Sequence, residues 1–291
     1  MSESRPEKNF LSVWLELAKV RITFAVSLTT ITGYLLASGA FGTNLIPVVV
    51  GIFLLACGSS ALNHYQESDR DRLMERTQNR PIPSGRVSPA QALLFAVTLI
   101  ISGSFLIWLG GGFLAMQLGI LALIWYNGIY TPLKKRTAFA VVPGSVIGAL
   151  PPMVGWVSGG GSLADPRALI IAFFFFIWQV PHFWLLLLKY GKEYEKAGFP
   201  SITKLYSERQ IRHTTFIWTF ATGVSALMLP LFGIVNSVII AVALLLAVIW
   251  LLYGFTALLK NNLPMKPGYY FMKINYFVLF MIIFLTIDSL L

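Results

Sequence analysis

Asn63, Glu67 and Asp71 recur at intervals of four in "ALNHYQESDRD", where a long apolar run gives way to charge. On a helix this spacing puts all three on one face. They make an oxygen-bearing stripe roughly 12 Å long at 1.5 Å per residue, with Asp69 just off it. Carboxylate and amide oxygens are hard ligands suited to Mg²⁺, which keeps waters and shares substrate phosphates. Arg72, Arg76, Asn79 and Arg80 follow at once, with donors matched to phosphate oxygens. The combination predicts a diphosphate held through Mg²⁺ on Asn63, Glu67 and Asp71. Arg76 and Arg80 would stabilise its negative charge, with Asn79 beside them. The same charges also fit a juxtamembrane helix laced by intrahelical ion pairs.

Two further stretches carry candidate groups. In "WYNGIYTPLKKRT", Tyr126, Tyr130 and Lys134 are again four apart, and Lys134, Lys135 and Arg136 supply positive charge for an anionic head. An aromatic belt with a basic anchor would read the same way. In "WQVPHFWLLLLKYGKEYEKAGFP", Pro181 breaks helical bonding inside an apolar run. Such a break is tolerated where protein or a cavity covers the freed groups. Gln179 and His182 are polar groups within that run, a position that points to function. Lys189, Lys192 and Glu193 close the segment, and Glu193 is a candidate second metal-side acid. The plainer alternatives are a packed, hydrogen-bonded His182 and a surface Glu193 beside Lys189.

The elements that must position these residues are membrane helices. Of 291 residues 56% are hydrophobic and only 12% charged, about half the charge of a soluble domain. Runs of about 20 apolar residues span a bilayer. Nine are expected, over 22–40, 45–65, 91–109, 112–130, 138–157, 168–188, 213–234, 237–259 and 271–290. The fifth is interrupted by Pro151 and Pro152. The chain reads as a single polytopic all-α domain over 1–291, with a polar N-terminal segment (1–18) and active-site loops at 67–90 and 189–212. With nine spans, only Arg167 of the 22 basic residues falls on one side. The positive-inside rule then places the N-terminus, the basic loops and the site in the cytoplasm, with the C-terminus outside. That one-sidedness ties the net charge of +10 to a bilayer rather than to nucleic acid. A lone Cys57 within a span rules out an internal disulfide and thiolate metal clusters. The second acid-bearing segment follows span six as the first follows span two, a weak repeat that would set the site between two helical halves.

"NHYQESDRD" resembles the N-x-x-x-D-x-x-x-D motif of the UbiA superfamily of intramembrane prenyltransferases, and "RTQNRP" its following arginine segment. "YTPLKKRT", "GALPPMVGW", "WQVPHFW" and "EYEKAGFP" resemble its haem-farnesylating branch, over about Lys19 to Ser201. The resemblance implies nine helices round a central cavity in a bacterial-type inner membrane. It implies Mg²⁺-dependent transfer of a farnesyl group from farnesyl diphosphate to the vinyl group of haem B. The product, haem O, would pass to a downstream haem-modifying enzyme for haem–copper oxidase assembly. Haem B is then a substrate and Mg²⁺ the cofactor. Asn63, Glu67 and Asp71 match the first metal motif, Glu67 standing where Asp is usual and His64 where an acid or amide is frequent. The second acidic motif is reduced to Glu193, beside Lys192. His182 matches a histidine that would touch haem. Other readings are a prenyltransferase acting on a quinone precursor, a transporter and a haem-binding electron carrier. A transporter predicts acids at mid-bilayer, whereas these cluster at one end. An electron carrier needs paired histidines, and only His64, His182 and His213 exist.

Overall fold

Inside a bilayer no water satisfies the backbone, so apolar segments close their hydrogen bonds within helices. In the computed structural model the described residues, 10–260 and 265–291, are helical with no strand among them. The expected N-terminal segment falls partly outside that range, Arg5 and Lys8 included. From Phe10 onward the chain is a short helix, α1 (Phe10–Ala18). It is followed by α2 (Val20–Ser38), α3 (Leu45–Asp71) and α4 (Pro89–Leu123). Then come α5 (Val146–Ser158), α6 (Pro166–Lys189) and α7 (Gly191–Lys196). The last are α8 (Glu208–Leu231), α9 (Val238–Phe255) and α10 (Pro267–Asp288).

Eight helical stretches among the described residues are long and apolar enough to span a membrane, and one of them, Pro89–Leu133, has 45 residues. That stretch is two arms. Gly112 adopts φ 80° and ψ −178°, open to glycine and to few others. A Cβ on Gly119 would lie 3.1 Å from the Ile107 side chain, although 12 positions of straight helix would separate them by about 18 Å. The chain therefore folds back at Gly112, and the described residues make nine crossings, as expected. Small residues let the arms close on α3, where Gly51 faces Gly103. In α5 the double proline is accommodated by a neighbour: Thr30 Oγ1 of α2 donates 3.1 Å to the Pro151 carbonyl.

The helix ends gather the polar chemistry at one end of the bundle. The arm after Gly112 runs into a π-helical stretch, Ile124–Tyr130, and a short turn, Thr131–Leu133. π-helical turns recur at functional sites because they shift side-chain register. Arg167, the exceptional basic residue, lies at the far end beside Trp156, the end of α2 and Asp288 of α10.

Candidate functional site

The stripe predicted from spacing exists and is buried: Asn63, Glu67 and Asp71 are 2%, 6% and 0% exposed. A carboxylate without water requires a cation or donors, and each member of the stripe meets a cation from a different part of the chain. Lys134 Nζ lies 2.7 Å from Oε1 and 2.8 Å from Oε2 of Glu67. Its hydrogen bond goes to Oε2, leaving Oε1 buried with no hydrogen bond of its own. One guanidinium nitrogen of Arg80 donates to both oxygens of Asp71, at 2.9 and 2.8 Å. Lys19 Nζ donates to Asn63 Oδ1 at 3.3 Å, while Asn63 Nδ2 donates to Thr131 Oγ1 at 3.3 Å. The pairs are thus tertiary. The intrahelical ion-pair alternative is wrong for Glu67 and Asp71, because both turn inward, away from Arg70 and Arg72.

The π-helical stretch fixes this register. Asn127 Nδ2 donates to the Ser59 carbonyl at 3.0 Å and to Gln66 Oε1 at 3.1 Å, and Gln66 Nε2 donates back to the Asn127 carbonyl at 3.0 Å. This clamp aligns Lys134 with Glu67. Burial works against the charge of Lys134, but Glu67 and the neighbouring tyrosines outweigh it and hold the ammonium above the usual lysine range. Burial and then the charge of Arg80 push Lys19 down to about 7.

Tyr126 and Tyr130 stack at 5.8 Å, Tyr130 stacks on Phe183 of α6 at 5.1 Å, and Lys134 lies 5.4 Å from the Tyr130 ring centre. An aromatic path thus leads from the charged pocket to α6. Phe183 adjoins His182, with ring centres 5.7 Å apart. At the rim, Glu193 Oε2 accepts the Arg76 backbone N–H at 3.0 Å, and the Arg76 guanidinium covers Tyr190 at 4.4 Å. The two acid-bearing segments therefore meet. Lys189 sits over Tyr190 at 5.2 Å.

Three candidates stand apart from the cluster. Lys135 Nζ is spent on the Gln66 carbonyl of α3, at 3.0 Å. Arg136 is exposed and is not a member of the stripe's ion pairs, and Asn79 is exposed, its carbonyl accepting from Arg86 at 2.5 Å. Spacing alone did not disclose Lys19, Thr131, Gln66, Asn127 or Asn275. Lys19 is the only non-glycine with positive φ (47°) among the described residues, and such strain clusters at functional positions. Its sequence signal was faint: a lysine just ahead of the first apolar run. His64, 1% exposed, has both ring nitrogens without a hydrogen bond among the described residues.

The donor set suits a hard divalent cation. Two carboxylates and one amide oxygen lie along one buried face, and Glu67 Oε1 is held by the Lys134 charge alone, with no hydrogen bond. Among the described residues no three His, Cys, Asp or Glu side chains surround one point. The protein would supply a partial shell and leave the remaining positions to phosphate oxygens and water, the habit of Mg²⁺.

The sequence model of the UbiA prenyltransferase family matches residues 26–277. The chain belongs to that family. Among UbiA relatives it is 34% identical to the protoheme IX farnesyltransferase of Oleidesulfovibrio alaskensis over 275 residues, covering 94% of this chain and 95% of that protein. It is 40% identical to the protein of the same name from Geobacter sulfurreducens over 220 residues, 76% of this chain and 81% of that one. A solved digeranylgeranylglyceryl phosphate synthase superposes with a TM-score of 0.78 at 16% identity, over 96% of this chain and 98% of that one. A UbiA homolog from Archaeoglobus fulgidus bound to GPP and Mg²⁺ superposes at 0.71 and 13% identity, over 96% and 99%. UbiA membership makes the chain a multi-pass membrane prenyltransferase.

Removing Arg80 isolates a buried charge. Arg80→Ala leaves the Asp71 carboxylate unpaired, a loss of about 3–5 kcal/mol for a buried pair, and lowers the melting temperature in detergent. Arg80→Lys keeps a charge in reach and loses less than half as much. Equal melting temperatures for the two variants would refute the pairing.

Proposed function

We propose that this UbiA-family chain transfers a farnesyl group from farnesyl diphosphate to the vinyl group of haem B, giving haem O, with the diphosphate bound at the Asn63–Glu67–Asp71 stripe. The observation that carries the reading is the junction of two environments. A buried, cation-bearing oxygen stripe opens directly onto the aromatic path of Tyr126, Tyr130 and Phe183. A charged head and an isoprenoid tail need those two environments side by side. The names of the relatives support haem B as the acceptor.

Bound Mg²⁺ would supply positive charge to the departing diphosphate oxygen; Asn63, Glu67 and Asp71 are the residues to hold it. The chain's own contributions follow from the geometry. Arg80 and Lys134 are already within 2.9 Å of the acids and turn to phosphate oxygens as the head enters. Arg76 and Lys135 lie at the margin. The farnesyl C1–O bond breaks with its electron pair going to the diphosphate, and the vinyl π pair forms the new C–C bond. Water adds to the resulting cation and loses a proton. The faces of Tyr126, Tyr130 and Phe183 stabilise the allylic cation, at about 0.5–2 kcal/mol per contact, and keep water away from it. Glu193 holds the rim loop through the Arg76 N–H.

On this reading the site faces the cytoplasm of a bacterial inner membrane, with the N-terminus inside and the C-terminus outside. Haem O leaves for a downstream haem-modifying enzyme. Membranes containing the chain, given haem B, farnesyl diphosphate and Mg²⁺, yield farnesylated haem by mass spectrometry. EDTA reduces the product at least about 100-fold, and added Mg²⁺ restores it. Product from a quinone precursor alone, or EDTA-insensitive product, would overturn the acceptor or the metal respectively.

A further inference from the structure

His182 sits seven residues before the end of a membrane helix with a defined tautomer. Its Nδ1 is 2.8 Å from Asn275 Oδ1 on α10. The orientation of that amide is itself set, since Asn275 Nδ2 donates to the Phe271 carbonyl at 2.6 Å. Turning the amide over would set two oxygens against each other. Oδ1 therefore faces the imidazole and can only accept, so Nδ1 carries the proton. Nε2 is left with a lone pair and no hydrogen bond among the described residues, on a ring that is only half-buried. Trp178 and Phe271 hold the ring with centres at 5.0 Å each, and the Trp178 indole is tied to the Ile274 carbonyl at 3.3 Å. A neutral imidazole whose far nitrogen is oriented by an amide oxygen is the arrangement of a metal-ligating histidine.

What lies around it suits one class of ligand. Flat aromatic walls flank the ring. Lys189, seven positions further along α6 and about 10 Å nearer the helix end, sits over the same Phe271 ring at 6.0 Å. A planar apolar metallomacrocycle with carboxylates on one edge would meet iron-binding nitrogen, aromatic surface and ammonium in that order. The Phe183–Tyr130 stack begins at the same place, so the macrocycle's periphery would face the prenyl path.

We propose that His182 Nε2 is an axial ligand to the iron of the acceptor haem, and that Asn275 is a positioning residue that fixes its tautomer. This rests on the haem reading above. The lone pair fills a vacant axial position, the Nδ1 proton stays on Asn275, and no electron changes hands. The iron anchors the ring while the vinyl carbon, at the periphery, remains unencumbered.

The purified full chain in lipid nanodiscs, titrated with ferric haem B, tests this by Soret absorption and EPR. The wild type gives an imidazole-ligated spectrum. His182→Gly loses that signature and weakens haem binding about 10-fold or more, and exogenous imidazole restores the spectrum. Metal-free protoporphyrin IX binds wild type and His182→Gly within about 3-fold of each other, since no iron is present to ligate. Asn275→Leu weakens haem binding several-fold, and Asn275→Asp shifts the Soret band and the ferric/ferrous midpoint potential. A wild-type spectrum in His182→Gly, or equal loss of metal-free porphyrin, overturns the proposal. Should His182→Gly not fold, unchanged spectra in both Asn275 variants overturn it. A wild type that makes farnesylated haem without an imidazole signature sinks this inference alone. A wild type that makes no haem product sinks the reading beneath it.

Discussion

Asp71→Asn lowers the rate of prenyl transfer by about 10²–10³-fold, the magnitude lost with one preorganised electrostatic partner of a developing charge. Asp71 is the fully buried end of the stripe and is gripped by a single guanidinium nitrogen. Asparagine keeps its volume and one oxygen but removes the negative charge that would hold a divalent cation against the diphosphate. Arg80 is less enclosed than its partner, with 18% of its side chain exposed, and can reach water when the carboxylate is gone. Thr77 still caps the helix end through the Asp71 backbone carbonyl, at 2.9 Å. The fold therefore survives, and the melting temperature shifts by only a few degrees while turnover collapses. Single-turnover assays with farnesyl diphosphate, run beside a thermal melt, separate the two effects. A rate within 10-fold of wild type would remove Asp71 from the diphosphate site.

Gly155→Leu yields no folded protein. The α2–α5 crossing is backbone against backbone. A Cβ at Gly155 would run into the carbonyl oxygen of Thr30 and stand 2.8 Å from the Tyr34 nitrogen, and a Cβ at Gly33 would run into the Pro152 carbonyl oxygen. Close approach of small residues is the main attraction between helices in lipid. Here no flexible side chain is present to move aside. Overpacking in an ordinary core costs about 1–3 kcal/mol, and separating two helices along their shared face exceeds that. Even Gly155→Ala lowers the melting temperature by several degrees, and Gly155→Leu is recovered only as aggregate in size-exclusion chromatography. A monodisperse, active Leu variant would disprove the tight crossing. The same shift would move the Pro151 carbonyl from Thr30, so stability and helix geometry fail together.

Much of this was legible because membranes impose simple rules. Apolar runs of fixed length gave the nine crossings, including the two arms joined at Gly112. The interval of four in Asn63, Glu67 and Asp71 gave the buried stripe, and the same interval in Tyr126, Tyr130 and Lys134 gave the stack beside it. These are properties of one helix and need no knowledge of neighbours. Helix ends were less clear: the apolar run stops near residue 65 but α3 continues to Asp71, because protein buries Glu67 and Asp71 and supplies their cations.

The sequence by itself determined that the chain crosses a membrane many times and carries a hard-oxygen stripe, followed by arginines, at one end of a helix. Periodicity and hydropathy are local, and they suffice for that. Only the tertiary structure decided which cation answers which acid: Lys134 for Glu67, Arg80 for Asp71, Lys19 at Asn63. It also assigned Asn275 to His182, 93 positions away, and sent Lys135 to a backbone carbonyl. Long side chains of one charge look alike in a sequence. Their partners are set by where separate helices end in space, through helix packing and the π-helical shift at Ile124–Tyr130.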